Sequence, residues 1–170
     1  MARGGITVTV ASAMSHKLCK LSRGMKVEAD VLLRDVKTGH VYDAIVLPGG
    51  MPGAKHFAEN SDLVQMLKDQ KSHGRWYAAI CASPAVVLKA TGIATNETMV
   101  CYDYKDFTDM LGGKIPSDRV CVSGKCITSV GPGSATDFGL AIVECLVGKA
   151  KADHVAKEMM VINRSEPVHH

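Results

Sequence analysis

The chain has 170 residues, of which 46% are hydrophobic and 22% are charged, and both values are typical of one globular domain. Its 20 basic and 17 acidic residues give a net charge of +3 without any block of like charge, which argues against a nucleic-acid-binding patch. The apolar runs are far shorter than the ~20 residues of a membrane span, and the first residues lack the apolar core of a secretory signal. We therefore expect a cytoplasmic protein without a membrane-spanning segment.

Residues 5–12 (GITVTVAS) alternate β-branched side chains and predict the first strand. Residues 42–50 (YDAIVLPGG) form a short apolar run stopped by Pro-Gly-Gly, a pattern typical of a buried parallel strand followed by a tight turn. Residues 60–74 place apolar side chains at helical spacing after an Asn or Ser cap, and they predict a helix. A strand over 75–80 and a helix over 83–91 follow.

Residues 97–103 (ETMVCYD) predict a further strand, and residues 104–113 predict a short helix that ends in glycine. Residues 118–130 (DRVCVSGKCITSV) predict a hairpin that turns through Ser123 and Gly124.

The last long helix is predicted over 133–148, with Ser134 and Asp137 spaced like a capping box and Gly148 as its stop. Strands that alternate with helices indicate an α/β fold, with a mainly parallel sheet and helices on both faces.

Six cysteines are spread along the chain, and none of them forms a CxxC pair. A structural zinc site therefore has little support, and we expect neither a metal nor a cofactor. Most of these residues are expected to be reduced thiols in the core. The six are Cys19, Cys81, Cys101, Cys121, Cys126 and Cys145.

Unusual residues follow four of the predicted strands. They are Gly49-Gly50, Cys81, Cys101-Tyr102 and the GPGSA segment at 131–135. In parallel α/β sheets ligands bind outside the carboxyl ends of the strands, so parallel strands would bring these four segments to one rim. The sequence thus predicts a site at that rim. The GPGSA segment itself fits either an anion cradle or, more simply, a tight turn with a helix cap.

Cys81 occupies the predicted turn from a strand into a helix, which resembles a nucleophile elbow with Cys in place of Ser. The helix N-terminus favours thiolate over thiol. Pro84 suits the first helical turn because it needs no N–H donor there. The Ala82 and Gly50 amides are candidates for an oxyanion hole beside the sulfur. The alternative is a small buried cysteine that only closes a strand.

Three segments carry a resemblance to a known family: 43–54 (DAIVLPGGMPGA), 78–88 (AAICASPAVVL) and 128–149 (TSVGPGSATDFGLAIVECLVGK). They closely resemble the DJ-1 branch of the DJ-1/PfpI (ThiJ) superfamily, and the resemblance runs in order from about residue 5 to about residue 161. It implies one domain over 1–170, a flavodoxin-like sandwich of the class I glutamine amidotransferase-like type, and a homodimer.

The resemblance also implies a reaction and its residues. Cys81 takes the place of the family nucleophile, Gly50 and Ala82 take the places of the oxyanion-hole amides, and Tyr102 is expected to line the site. Family members are described as cofactor-free glyoxalases or deglycases that act on small 2-oxoaldehydes, such as methylglyoxal, or on their protein adducts. They are also described as redox sensors and chaperones. An enzyme and a non-enzymatic sensor that uses oxidation of Cys81 therefore both stay open.

The sequence departs from the family pattern in two ways. Members usually begin with another strand and a helix that carries a glutamate hydrogen-bonded to the cysteine, whereas this chain begins at what resembles the second strand. The chain therefore resembles an N-terminally truncated member. Either the start of the protein was assigned too late, or the protein is a shortened relative of the family. Tyr102 stands where many members have a histidine, which argues against a Cys-His peptidase.

Overall fold

A computed structural model describes residues 1–36, 40–113, 115–161 and 167–170. The strands are β1 (Ala11–Ser12), β2 (Leu18–Lys20), β3 (Lys26–Glu28), β4 (Val31–Leu32), β5 (Ala44–Leu47), β6 (Trp76–Ile80), β7 (Val120–Ser123), β8 (Cys126–Ser129) and β9 (Val168–His169). The α-helices are α1 (Gly53–Glu59), α2 (Ser61–Ser72), α3 (Lys105–Met110), α4 (Ala135–Val147) and α5 (Lys149–Glu158), and a π-helical segment spans Pro84–Lys89. Short 3₁₀ turns cover Ala2–Gly4, Ser22–Gly24, Leu33–Asp35 and Pro132–Ser134.

The central sheet has the strand order β5-β6-β8-β7-β9. Strands β5, β6 and β8 run parallel, β7 runs antiparallel to β8, and β9 runs parallel to β7. Leu47 pairs with Ala79, and Ile80 pairs with Ser129, so the carboxyl ends of the three parallel strands are level. The predicted α/β fold with a mainly parallel sheet is confirmed, and the carboxyl ends of its parallel strands form one rim.

The core lies on both faces of this sheet because successive residues of β6 point to opposite sides. Tyr77 and Ala79 face a cluster built with α1, α2 and the π-helical segment, whereas Ala78 faces a cluster built with α4. Helix α5 packs in turn on α4 through Leu140 and Val155. Within the described ranges, no helix is both long and apolar enough to cross a membrane.

Several predicted elements are present close to their expected bounds. Residues 42–50 contain β5, residues 118–130 form the β7–β8 hairpin, and residues 60–74 contain α2. The Asn60 side chain caps α2 by accepting a hydrogen bond from the Leu63 N–H at 3.0 Å. The helix predicted over 83–91 is present, but its central six residues are π-helical.

Two predicted strands are wrong in most of their length. Of residues 5–12 only Ala11 and Ser12 form a strand, paired with β4, while Val8 and Val10 remain exposed. Residues 97–103 join no ladder in the described part of the chain, and two of their amides bond to side chains instead. The Thr98 N–H donates to Ser123 Oγ at 3.1 Å, and the Val100 N–H donates to Thr128 Oγ1 at 3.0 Å.

The predicted capping box at the start of α4 is also wrong. Ser134 occupies the cap position, but its side chain makes no capping hydrogen bond to the helix. Its hydroxyl lies 2.6 Å from Ser129 Oγ, and Asp137 pairs instead with Arg119 at 2.9 Å. Both side chains therefore tie the start of α4 to the β7–β8 hairpin.

A cluster around Glu97 connects α2, β6 and the segment after the π-helical turn. Lys71 Nζ and the Tyr77 hydroxyl each lie 2.7 Å from Glu97 Oε1. Burial acts to raise the pKa of Glu97, but the hydrogen bonds from Lys71, Tyr77 and nearby backbone amides outweigh it and lower the pKa from 4.5 to about 2. The charged carboxylate therefore stabilises the fold.

We expect Glu97→Gln to lower the free energy of unfolding at pH 7 by about 2–3 kcal/mol. The folded-state pKa of Glu97 lies below its ordinary value, so this stabilisation is present above about pH 4.5 and is lost as the pH falls towards 2. Urea unfolding of both proteins between pH 7 and pH 3 should show the difference shrinking as the pH falls.

Glu59→Gln is the matched control, since Glu59 forms an exposed pair with Lys55 at 3.7 Å. Such pairs contribute about 0–1 kcal/mol, so this variant should unfold almost like the wild type. A difference for Glu97→Gln that stays constant with pH would show that the carboxylate charge is not the source of the stability.

Candidate active site

Cys81 lies directly after β6, at the rim of the sheet, and its backbone has an unusual conformation. Its φ is 66°, a left-handed value that is rare outside glycine. Two neighbouring segments hold this conformation: the Cys81 N–H donates to the Ser129 carbonyl at 2.9 Å, and its carbonyl accepts from the Tyr102 N–H at 2.9 Å. The side chain is half-buried. Non-glycine residues held in this region cluster at functional sites.

Gly49 lies against the Cys81 side chain, and only a glycine fits there. A Cβ atom at this position would lie 2.5 Å from Cys81 Cβ, 2.7 Å from the Ile80 carbonyl oxygen and 3.2 Å from Cys81 Sγ. The first two distances are shorter than real Cβ contacts allow. The Pro-Gly-Gly run predicts a turn at Gly49, but no local pattern predicts this close approach to Cys81.

The turn after β5 is fastened to the start of the π-helical segment. Ser83 is fully buried, and its hydroxyl donates to the Pro48 carbonyl at 2.5 Å. The next turn residue, Gly50, has φ +93° and packs against Ser22, where a Cβ would lie 2.9 Å from Ser22 Oγ. In the described part of the chain, neither the Gly50 nor the Ala82 amide donates to a protein acceptor.

Tyr102 and the GPGSA segment complete the rim. The Tyr102 ring contacts Gly131, where a Cβ would lie 3.3 Å from ring atom Cδ2. The Gly131 N–H donates to Ser134 Oγ at 3.1 Å, and the Ser134 hydroxyl lies 2.6 Å from Ser129 Oγ. Ser134 was predicted as a helix cap, yet it fixes the backbone beside the ring. No sequence pattern distinguishes these two uses of a serine that precedes a helix.

Three of the other thiols are made poor nucleophiles by their surroundings. Burial raises the pKa of Cys101 to about 11, and the nearby charges of Asp103 and Cys81 add to the increase. Burial likewise raises the pKa of Cys121 and of Cys145, each to about 11. These three thiols are therefore protonated at neutral pH and are poor nucleophiles.

The four segments predicted to meet at one rim do so. Gly49 contacts Cys81, the Tyr102 amide is bonded to Cys81, and the Tyr102 ring contacts Gly131. The segment with Cys101 and Tyr102 reaches the rim without being a strand of the sheet. The arrangement gives a half-buried thiol at the start of a helical segment, with the Gly49 turn against its side chain and the Tyr102 amide bonded to its carbonyl.

This fold and this rim define a class of flavodoxin-like proteins with a cysteine at a strand-to-helix elbow. The model of the DJ-1/PfpI family matches residues 1–145. The solved structure of oxidized Toxoplasma gondii DJ-1 is similar, with a TM-score of 0.88 and 42% identity, covering 94% of this chain and 85% of that one. The chain belongs to the DJ-1/PfpI family.

Two named relatives differ in how much of their length is matched. The chain is 38% identical over 159 residues to the glutathione-independent glyoxalase DJR-1.2 of Caenorhabditis elegans, covering 94% of this chain and 83% of that protein. It is 38% identical over 162 residues to protein DJ-1 homolog A of Arabidopsis thaliana, covering 94% of this chain and 41% of that protein. The chain thus spans about two fifths of the Arabidopsis relative.

Proposed function

We propose that this protein is a cysteine-dependent, cofactor-free glyoxalase that converts small 2-oxoaldehydes, such as methylglyoxal, into 2-hydroxy acids. The observation that carries the proposal is the backbone of Cys81, held at φ 66° beside Gly49. This conformation places the half-buried Cys81 side chain at the rim, directly before a helical segment. The relative named a glutathione-independent glyoxalase supports the same chemistry.

In the first step the Cys81 thiolate adds to the aldehyde carbon of the substrate. A carbon–sulfur bond forms, and the carbonyl oxygen becomes an alkoxide. We assign the stabilisation of this charge to the Gly50 and Ala82 amides, which have no protein acceptor in the described part of the chain. The Ser83 hydroxyl, bonded to the Pro48 carbonyl, fastens the turn that carries Gly50 to the segment that carries Ala82.

In the second step a proton leaves the former aldehyde carbon, and another is delivered to the neighbouring ketone carbon. The product is a 2-hydroxyacyl thioester, in which the aldehyde carbon has been oxidised and the ketone carbon reduced, so that no external oxidant is required. Water then adds to the thioester, the carbon–sulfur bond breaks, and the thiolate returns. The sum is methylglyoxal plus water to lactic acid. The same addition to the aldehyde released by a protein adduct would make the protein a deglycase.

Methylglyoxal consumption by the purified chain, without added thiol, tests this proposal. Lactate should accumulate in equal amount to the aldehyde consumed. In deuterium oxide the lactate should carry deuterium at C2, because the proton delivered to the ketone carbon comes from solvent. Consumption without lactate would instead indicate chemical modification of the protein and would contradict the proposal.

A second candidate function is peroxide sensing through Cys81. Its specific support is solvent access, because Cys81 is only half-buried whereas Cys101 and Cys121 are buried. The similar Toxoplasma gondii protein is described as oxidized. Attack of the thiolate on hydrogen peroxide would give a sulfenate and water, and a second equivalent would give a sulfinate and another water.

Peptide mass spectrometry after mild peroxide treatment tests the sensor function. We expect the Cys81 peptide to gain one and then two oxygens before any other cysteine peptide does. Cys19 and Cys145 are the internal comparison, since both are half-buried like Cys81. Oxidation of either one ahead of Cys81 would overturn this candidate.

A further inference from the structure

Tyr102 is 48% exposed although its backbone is fixed by hydrogen bonds. Its N–H donates to the Cys81 carbonyl at 2.9 Å, and its own carbonyl accepts from the Tyr104 N–H at 2.8 Å. Cys101 Sγ also contacts that carbonyl, at 3.4 Å. Hydrogen bonds on both sides of the residue therefore fix its backbone next to that of Cys81. The chemistry proposed above does not use its ring.

The floor beneath the ring is fixed as well. Ring atoms Cδ2 and Cε2 lie 3.3 Å and 3.8 Å from where a Gly131 Cβ would be, so the absent side chain makes room for the ring. The Ser134 hydroxyl donates to the Gly131 carbonyl at 2.9 Å and accepts from the Gly131 N–H at 3.1 Å. Ser129 anchors Ser134 in turn at 2.6 Å. The ring rests on backbone that is itself cross-linked to the sheet.

The strand order determines on which side of Cys81 a bound molecule can extend. Strand β6 lies between β5 and β8, and neighbouring strands are about 4.8 Å apart. The β5 side is filled, because Gly49 already lies against the Cys81 side chain. The β8 side holds the Tyr102 ring on Gly131. A substituent on a carbon bonded to Sγ therefore extends towards solvent or along this ring.

The negative charge carried by the segment that holds Tyr102 favours a neutral substituent. Asp103 follows Tyr102 directly, and its charge contributes, after burial, to the raised pKa of Cys101. A carboxylate placed on the ring would meet this negative charge. A planar apolar group would instead gain an aromatic contact, which stabilises by about 0.5–1.5 kcal/mol in protein pairs.

We propose that Tyr102 is a specificity residue whose ring selects 2-oxoaldehydes with a planar, apolar substituent over those with a methyl group. The inference rests on the proposed glyoxalase function, since it names the substrate class of the same thiol. Phenylglyoxal represents the favoured class and methylglyoxal the other. The ring acts by contact with the substituent and takes no part in proton transfer.

Two ratios measured on the purified full chain test this assignment. The first is kcat/KM for phenylglyoxal divided by that for methylglyoxal. The second ratio needs no turnover. It is the rate constant for Cys81 alkylation by N-benzyl-2-iodoacetamide divided by that for 2-iodoacetamide. Both alkylation reactions are followed by intact-protein mass spectrometry. Tyr102→Ala should lower both ratios by about 2- to 10-fold, whereas Tyr102→Phe, which keeps the ring, should leave both unchanged.

Tyr104→Ala is the matched control. Tyr104 is 52% exposed, but its ring packs edge-to-face on Phe107 with centroids 5.2 Å apart, so its removal should leave both ratios unchanged. Gly131→Ala is the second variant, in which the ring is retained but displaced by the added Cβ. It should lower both ratios in the same direction as Tyr102→Ala.

The outcomes separate this inference from the proposed function. Turnover of both aldehydes with neither ratio changed by Tyr102→Ala would overturn the inference and leave the glyoxalase function standing. Absence of turnover, with an alkylation ratio that still falls in Tyr102→Ala, would overturn the glyoxalase function while supporting Tyr102 as the residue that selects substituents. An equal change in Tyr104→Ala would show a general effect of surface aromatic rings and would also overturn the inference.

Discussion

Cys81→Ser should lower methylglyoxal turnover by about 10³-fold or more, the loss expected when a covalent nucleophile is removed. A serine hydroxyl is almost fully protonated at neutral pH, and the helical segment that follows Cys81 cannot shift that balance far enough. The substitution is close in size, and it leaves the backbone contacts of residue 81 with Ser129 and Tyr102 in place. Lactate formation by both proteins, with circular dichroism to compare their folds, measures the effect.

Cys145→Ser is the control for thiol loss in general. Cys145 is half-buried on α4 and packs at the edge of the cluster on the other face of the sheet. The Cys145→Ser protein should retain methylglyoxal turnover close to that of the wild type. A folded Cys81→Ser protein with more than about one tenth of wild-type activity would show that the thiol is not the nucleophile.

The parts of the site that sequence could predict are those written in local patterns. An apolar run that ends in Cys81 and continues as Ala-Ser-Pro and an apolar helical stretch indicates a strand-to-helix elbow. The Pro-Gly-Gly run after β5 indicates a turn at the same level of a parallel sheet. Those two patterns place Cys81 and Gly50 at one rim, where the structure has them.

The parts that sequence could not predict depend on partners distant in the chain. Residues 97–103 have the composition of a strand, but their amides bond to the side chains of Ser123 and Thr128, some 25 residues away. Ser134 has the position of a helix cap, yet Ser129 and Gly131 compete for its hydroxyl more effectively than the helix does. Local periodicity carries no information on such competition.

Residues 5–12 illustrate a third limit. Alternating β-branched residues favour extended backbone, but a strand also needs a neighbour to bond to. In the described ranges, Val10 bonds to Asp30 and Val31 rather than to a neighbour within the central sheet. Only Ala11 and Ser12 find a strand partner, in β4. The pattern therefore predicted the local conformation more reliably than the pairing.

Gly49→Ala should both destabilise the fold and disable Cys81. The added Cβ would lie 2.5 Å from Cys81 Cβ and 2.7 Å from the Ile80 carbonyl oxygen, and neither is the end of a flexible side chain. Overpacking of this kind costs about 3 kcal/mol, which for a protein of this size lowers Tm by about 6–12 °C. Relief requires β5 and β6 to separate at the rim, which would move Cys81 relative to the Gly50 amide.

Gly53→Ala separates this effect from the loss of a glycine as such. Gly53 is at the start of α1, four residues along the chain, and a Cβ there would meet no atom within 4 Å. Alanine is also the better helix former, so this variant should be as stable as the wild type or slightly more so.

Thermal unfolding gives the stability of both variants, and Cys81 alkylation below their Tm values gives the state of the site. Close packing of Gly49 against Cys81 predicts that Gly49→Ala lowers both the Tm and the rate of Cys81 alkylation. Gly53→Ala should lower neither. A stable Gly49→Ala protein whose Cys81 is alkylated at the wild-type rate would show that the two strands separate at the rim without cost.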